Sequence, residues 1–137
     1  MRRLGVVAVA ALLAAAVTVP VSAASSGFNG SWSSIDPVDG STQHLSIKGS
    51  GGRVQMSYVD EFGKVCVEVG APTTVFTGVL TGTISGNDLV GLWKSAGCGP
   101  VLLLRVTDRF EWFFEYDPGT DTLWGATNDG PATWYRD

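Results

Sequence analysis

From residue 28 to the end of the chain, short runs rich in Val, Thr, Ile and aromatic residues alternate with Gly, Asp, Asn and Pro. No stretch of this region carries the spacing of an amphipathic helix. Runs of this kind are typical of β-strands joined by tight turns. The sequence therefore predicts an all-β protein. Strands are expected at residues 28–34, 43–48, 53–59, 64–69, 75–84, 88–94, 101–107, 109–116, 121–126 and 132–136.

The connections between these strands are short and contain turn residues, as in Asp39-Gly40 and Pro118-Gly119. Neighbouring strands joined in this way run antiparallel. A meander of about eight to ten strands buries its apolar faces and loses its free edges when it closes, so we expect an antiparallel up-and-down β-barrel. A sandwich of two sheets is the alternative.

Alternation along the strands indicates which side chains face the interior, and it is clearest in residues 109–116. The outer face of that strand is expected to carry Arg109, Glu111, Phe113 and Glu115. The predicted inner layer of the whole barrel comprises Leu45, Ile47, Val54, Met56, Tyr58, Val65, Val67, Val69, Leu89, Trp93, Phe110, Trp112, Phe114 and Tyr116.

The N-terminal segment has the three parts of a secretory signal peptide. Arg2 and Arg3 precede an apolar run that ends near Val21, and Ala23 follows at a position that suits signal peptidase. We therefore expect residues 1–23 to be a signal peptide and residues 24–137 to form one secreted β-barrel domain. A membrane anchor is the alternative, because the apolar run approaches the ~18 residues that can span a bilayer.

The charge of the chain limits its partners. The sequence has 9 basic and 13 acidic side chains, and loss of the two N-terminal arginines gives the mature chain a net charge of −6. Such a surface disfavours binding to nucleic acids and to anionic membranes. We expect a monomer that has neither kind of partner.

Cys66 and Cys98 are the two cysteines of the chain. In an oxidising compartment an even pair is expected to form a disulfide. A zinc site is the alternative, but the single histidine, His44, leaves the set of ligands incomplete. No metal site and no cofactor are expected. Two free, buried thiols would be the remaining possibility.

The two ends of the mature chain carry a pattern of their own. Gly30-Ser31-Trp32 opens the first predicted strand, and Arg136 closes the last. This pattern resembles the signature of calycins, the group that includes lipocalins, fatty-acid-binding proteins, avidins and avidin-like bacterial metalloprotease inhibitors. The resemblance implies that Gly30, Trp32 and Arg136 have a structural role, with the arginine stacked on the indole at one end of the barrel.

No catalytic arrangement is evident, and the sequence predicts that the protein is not an enzyme. His44 is expected on an outer face, which leaves a nucleophile without a base. Glu111 and Glu115 share a face that should point to solvent. The stretch Asp36–Ser41 lacks the ligand spacing of a calcium loop and is expected to be a hairpin turn.

The aromatic residues suggest a function, because a small barrel is just wide enough to be filled by side chains or to hold one small ligand. The predicted ligand-binding residues are Tyr58, Trp93, Trp112 and Tyr116, and the predicted ligand is a small apolar molecule. One alternative is a protein-binding module, such as an inhibitor of an extracellular protease. The resemblance implies that residues 24–29 would then be the inhibitory segment. A structural surface domain without a pocket is the other alternative.

Overall fold

The computed structural model describes residues 27–104, 111–127 and 130–137. The predicted signal peptide, the first residues of the mature chain, Arg109 and Phe110 lie outside these ranges. The elements in the described ranges are β1 Gly30–Ile35, β2 Thr42–Ser50, β3 Arg53–Asp60, α1 Lys64–Glu68, β4 Phe76–Ser85, β5 Asp88–Cys98, β6 Val101–Leu104, β7 Glu111–Asp117, β8 Thr122–Thr127 and β9 Gly130–Arg136.

Eight of these strands close into an antiparallel up-and-down barrel, which confirms the predicted fold class. Hydrogen bonding runs in order through β1, β2, β3, β4, β5, β7, β8 and β9, and β9 pairs with β1 to complete the circuit. The short strand β6 pairs with the C-terminal part of β5. The architecture is compatible with a calycin-like fold.

The predicted hairpin turns are present where the sequence places turn residues. Between β1 and β2, Gly40 has a positive φ of 77°, and Asp39 accepts a hydrogen bond of 2.8 Å from the backbone N–H of Ser41. Hydrogen bonds from the side chain and from the backbone of Ser41 lower the pKa of Asp39. Between β7 and β8, Asp117 accepts a bond of 2.8 Å from the N–H of Gly119. Short Asp side chains that bond to the backbone two residues ahead favour such turns.

The predicted inner layer is buried in β2, β3 and β5, as the alternation requires, and in β7 Trp112 and Phe114 are buried while Tyr116 is half-buried. Glycines provide room for the large side chains of this layer. A Cβ atom on Gly78 would lie 1.9 Å from the Trp93 ring, and one on Gly125 would lie 2.6 Å from the Phe114 ring. The buried core comprises Phe28, Trp32, Leu45, Ile47, Val54, Met56, Tyr58, Leu80, Ile84, Leu89, Trp93, Ala96, Trp112, Phe114, Leu123 and Trp134.

The strand predicted over residues 64–69 is wrong, because Lys64–Glu68 form helix α1. Val65, Val67 and Val69 are 37%, 54% and 47% exposed, so they are not part of the inner layer. Their alternation is typical of a strand, but a strand needs a free neighbour. Since β3 is paired on one side with β2 and on the other with β4, this segment has no edge with which to pair.

The predicted disulfide is confirmed. Cys66 of helix α1 is bonded to Cys98 at the end of β5, with the Cα atoms 5.6 Å apart. Both sulfur-bearing side chains are fully buried. The bond therefore ties the helical connection between β3 and β4 to the barrel. In the described ranges, no helix has the length and apolarity that crossing a membrane requires.

Candidate functional site

The two ends of the barrel differ in chemistry. At one end β1 begins and β9 ends, and we call this the arginine end because Arg136 lies there. At the other end β1 and β3 finish and β7 begins. We call it the collar end, after an acidic collar formed by Asp36, Gln43 and Asp60.

At the arginine end, the Arg136 guanidinium carbon lies 4.1 Å from the centroid of the Trp32 ring. This is the contact that the calycin resemblance implies for these two residues. The guanidinium also donates to the carbonyl oxygens of Asn29 at 2.7 Å and Gly27 at 2.8 Å. A Cβ atom on Gly30 would lie 2.6 Å from Arg136 Nη1, so glycine is needed there. The cation thus fastens the chain entering β1 to the end of β9.

Asp121 neutralises this arginine. Arg136 Nε donates to Asp121 Oδ2 at 2.8 Å, and Nη2 donates to Oδ1 at the same distance. These bonds lower the pKa of Asp121 and raise the pKa of Arg136. Asp121 lies next to the turn that the sequence predicts at Pro118-Gly119, and its pairing with Arg136 was not predicted. An acidic residue next to a turn gives no signal that a distant arginine is its partner.

Tyr116 lies at the arginine end, apart from the other three predicted ligand-binding residues. Its ring centroid is 5.7 Å from that of Phe28 and 6.2 Å from that of Trp32. Its hydroxyl donates to Asp121 at 3.1 Å. Tyr116 therefore belongs to the packing around Arg136. Alternation placed it correctly on the inner face of β7 but could not show at which end of the barrel it lies.

Tyr58, Trp93 and Trp112 are brought together and form an aromatic cluster in the collar half of the barrel. The ring centroids are 4.9 Å apart for Tyr58 and Trp112, 5.9 Å for Tyr58 and Trp93, and 4.7 Å for Trp93 and Trp112. All three pairs meet edge to face, which is a favourable arrangement for aromatic rings. Each of the three side chains is at most 5% exposed.

The acidic collar lies two residues further along the same inner faces. Asp60 follows Tyr58 on β3, and it is paired in register with Gln43 of β2. Asp36 follows directly after β1. Asp36, Gln43 and Asp60 are 4%, 0% and 5% exposed, so two carboxyl groups and an amide are buried together. The inner face thus changes from aromatic to acidic towards this end.

Hydrogen bonds fix the geometry of the collar. Asp36 Oδ1 accepts from the N–H of Val38 at 2.6 Å, and Oδ2 accepts from Gln43 Nε2 at 2.9 Å. Asp60 Oδ1 accepts from Ser41 Oγ at 2.9 Å and from the N–H of Phe62 at 3.0 Å. Burial raises the pKa of Asp60, since these bonds offset only part of the cost of removing its charge from water.

Within the part of the chain that the structure describes, two buried polar atoms beside the cluster and the collar have no hydrogen-bond partner, namely Trp112 Nε1 and Gln43 Oε1. The Gln43 amide cannot be turned over to remove its deficit, because its oxygen would then face the acceptor on Asp36. Buried polar groups are normally paired, so an orphan acceptor and an orphan donor in one region require an explanation. The sequence gives no sign of these two unpaired atoms, because hydrogen-bond partners depend on which strands are neighbours in the barrel.

On the outer face, His44 connects three segments. Its Nδ1 is 3.2 Å from Ser33 Oγ, and its Nε2 is 3.0 Å from Glu61 Oε1. The Ser33 hydroxyl donates to Asp137 at 2.5 Å. A serine that gives its proton to a carboxylate is not poised to pass it to the histidine. His44 lies between the buried Gln43 and Leu45 on β2 and so faces outward, as predicted. There it connects β1 and β2 to the end of β3.

Glu111 and Glu115 are both exposed on the outer face of β7. In the residues described, no group of three His, Cys, Asp or Glu side chains has the proximity needed to hold a metal ion. No family model, curated protein or solved structure matches the chain.

Proposed function

We propose that this chain is a secreted, non-enzymatic binding protein whose calycin-like barrel takes a small apolar ligand on the aromatic cluster Tyr58, Trp93 and Trp112. The observation that carries the proposal is the position of Trp112. Its ring supplies apolar area in the collar half of the barrel, while its Nε1 donor is buried without a partner. A ligand with an apolar body and one acceptor would satisfy that donor.

The neutral fluorescent probe N-phenyl-1-naphthylamine tests this proposal. Binding is expected to enhance probe emission and to quench tryptophan emission. Trp112→Phe removes part of the ring against which the probe packs, so it should weaken probe binding by about tenfold, or about 1.4 kcal/mol. Trp124→Phe is the matched control, because Trp124 is 51% exposed on the outer face of β8. Equal affinities in the two variants would contradict the proposal.

Secretion belongs to the same proposal. The pattern of residues 1–23 supports it, and the Cys66–Cys98 disulfide is consistent with an oxidising compartment. Expression in a secreting bacterial host should release a chain that begins at Ala24 or one residue later. N-terminal sequencing of the released protein tests this. A released chain that begins at Met1, or a chain retained in the membrane, would contradict the proposal.

Recognition of another protein is the second candidate function, and exposed aromatic residues favour it. Phe113, Trp124 and Tyr135 are 51%, 51% and 61% exposed. The strand register places each of them one diagonal step from the next across β7, β8 and β9. Tyr135 also lines a groove of about 440 Å³ along the seam between β1 and β9, together with Ile35 and Pro131. Aromatic side chains of this kind are enriched at protein interfaces.

A protease-inhibition assay separates the two mechanisms of protein recognition. If residues 24–29 are the inhibitory segment, then deletion of residues 24–26 should abolish inhibition of an extracellular metalloprotease. Phe28 is 1% exposed and two carbonyl groups of this segment are bound to Arg136, so its second half is held by the barrel. If the exposed aromatic residues form the interface, Trp124→Ser should abolish inhibition instead. Full inhibition by both variants would contradict both mechanisms.

A further inference from the structure

The acidic collar contains negative charge that no described cation balances. The ion pairs in the described ranges join His44 to Glu61, Lys64 to Glu68 and Arg136 to Asp121. None of them includes Asp36 or Asp60, although both side chains are at most 5% exposed. A buried carboxylate without a cation is costly, because water no longer stabilises its charge.

The collar also has more acceptors than donors. Both bonds that described residues donate to Asp60 are accepted by Oδ1, while Gln43 Oε1 is fully buried and has no donor among the described residues. Gln43 and Asp60 are paired in register, so the free acceptor and the buried carboxylate are adjacent on the inner face. A group that fits here must bring several N–H or O–H donors together with positive charge.

We propose that the acidic collar binds the ammonium group of an amphiphilic amine, whose apolar body lies on the aromatic cluster. This inference rests on the proposed function and specifies the chemical class of its ligand. An ammonium group has three donors, which suit Gln43 Oε1 and the carboxylates of Asp36 and Asp60. Tyr58 lies two residues deeper on the same strand face as Asp60, so the aromatic cluster begins next to the collar and can pack against the apolar body.

A matched set of eight-carbon compounds tests the charge requirement. Octylamine, 1-octanol and octanoate have the same chain and carry a positive charge, no charge and a negative charge at pH 7. Each is titrated below its micelle concentration against N-phenyl-1-naphthylamine bound to the wild-type protein. We expect octylamine to displace the probe at a concentration at least about tenfold lower than 1-octanol does. Octanoate should be the weakest competitor.

Asp60→Asn tests whether the charge of Asp60 is needed for the preference for octylamine. Asparagine can still accept the bonds from Ser41 and Phe62 through its oxygen, but it carries no charge. The variant should bind octylamine and 1-octanol with affinities that differ by less than about threefold. Glu115→Gln is the control, because it removes an exposed carboxylate from the outer face and should leave the preference for octylamine unchanged.

Thermal unfolding distinguishes a ligand-binding carboxylate from a structural one. If the cation comes from a ligand, the free Asp60→Asn variant should unfold at the wild-type Tm or above it. A Tm several degrees lower would show that a cation of the chain itself balances Asp60, and this would overturn the inference. A rise in wild-type Tm with calcium chloride that is absent in Asp60→Asn would overturn it in favour of a metal site.

The displacement experiment separates this inference from the proposed function. Equal displacement by octylamine, 1-octanol and octanoate would leave the aromatic cluster as an apolar site and overturn the ammonium preference. Absence of probe binding to the wild-type protein, together with no change in tryptophan emission on addition of octylamine, would overturn the proposed function and this inference with it.

Discussion

At the arginine end of the barrel the charge of Arg136 is balanced by Asp121, whereas at the collar end no described cation is paired with the buried carboxylates of Asp36 and Asp60. Arg136 makes four hydrogen bonds, and Asp121 balances its charge. Asp36 and Asp60 are more deeply buried than that pair, yet the described residues that donate hydrogen bonds to them are all uncharged. The two ends of the barrel therefore differ in whether an opposite charge lies beside their charged side chains, among the residues described.

The difference separates a structural end from a candidate binding end. A paired and stacked cation stabilises the closed barrel, because each of its interactions is satisfied within the chain. An unbalanced carboxylate next to an unpaired acceptor destabilises the free protein, and such an arrangement is typical of a site that a ligand completes. Loss of Arg136 or of its partners should consequently lower stability, whereas loss of the charge on Asp60 should not.

The largest effect is expected from Trp32→Ala at the arginine end. Trp32 is fully buried, its Nε1 donates to the carbonyl oxygen of Phe28 at 2.9 Å, and it supports Arg136. Removal of a buried aromatic ring should lower the free energy of unfolding by about 3–5 kcal/mol, measured by urea denaturation. Trp124→Ala, on the exposed outer face, should cost about 1 kcal/mol or less. If Trp32→Ala lost as little stability as Trp124→Ala, the structural role proposed for the arginine end would be contradicted.

The second largest effect is expected at the collar end, from loss of the disulfide. Cys66 and Cys98 are 32 positions apart. Closure of a loop of that length stabilises the folded chain by about 3–4 kcal/mol on the chain-entropy estimate. The paired variant Cys66→Ser with Cys98→Ser should show this loss in urea denaturation, and the reduced wild-type protein is its control. Probe binding that persists in the folded fraction would show that the collar does not depend on the crosslink.

Arg136→Ala should have an intermediate effect. It removes the stacking on Trp32, the pair with Asp121 and two bonds to backbone carbonyl groups. Because the side chain is 30% exposed, solvent screens its ion pair with Asp121 and the pair contributes little. We therefore expect a loss of about 2 kcal/mol in the free energy of unfolding. Lysine lacks the forked donors of arginine, so Arg136→Lys should recover less than half of the loss. Full recovery would show that charge alone matters at this end.

The smallest effects concern pH, and their signs should differ between the ends. The folded-state pKa of Asp121 is lowered by Arg136, so its stabilisation is complete above the unfolded pKa of about 3.9 and is lost as pH falls through the folded value. The pKa of Asp60 is raised by burial. Its contribution is therefore complete below the unfolded value and is lost as pH rises through the folded one.

Urea midpoints measured between about pH 2.5 and pH 7 test these signs. Asp121→Asn should be less stable than wild type at pH 7, and the difference should disappear at the acid limit. Asp60→Asn should differ from wild type most at pH 7 and in the stabilising direction. The same sign of change in both variants at pH 7 would contradict the distinction between the two ends.

Local patterns predicted most of the fold. Alternation identified the buried residues of β2, β3, β5 and β7, and turn residues marked the hairpins. The pattern failed at residues 64–69, because alternating valines give a strand signal whether or not a neighbouring edge is free. Of the four predicted ligand-binding residues, three are together and Tyr116 is at the opposite end. Alternation gives the face of a residue but not its height in the barrel.

The sequence by itself determined the strand-rich class, the antiparallel order and the disulfide, because periodicity, short turns and an even cysteine pair act locally or covalently. The tertiary structure alone decided that Arg136 pairs with Asp121, that His44 bridges Ser33 and Glu61, and that Asp36, Gln43 and Asp60 form one collar. These groups come from different strands and turns. Their charges and hydrogen bonds meet only after the barrel closes and its register is set.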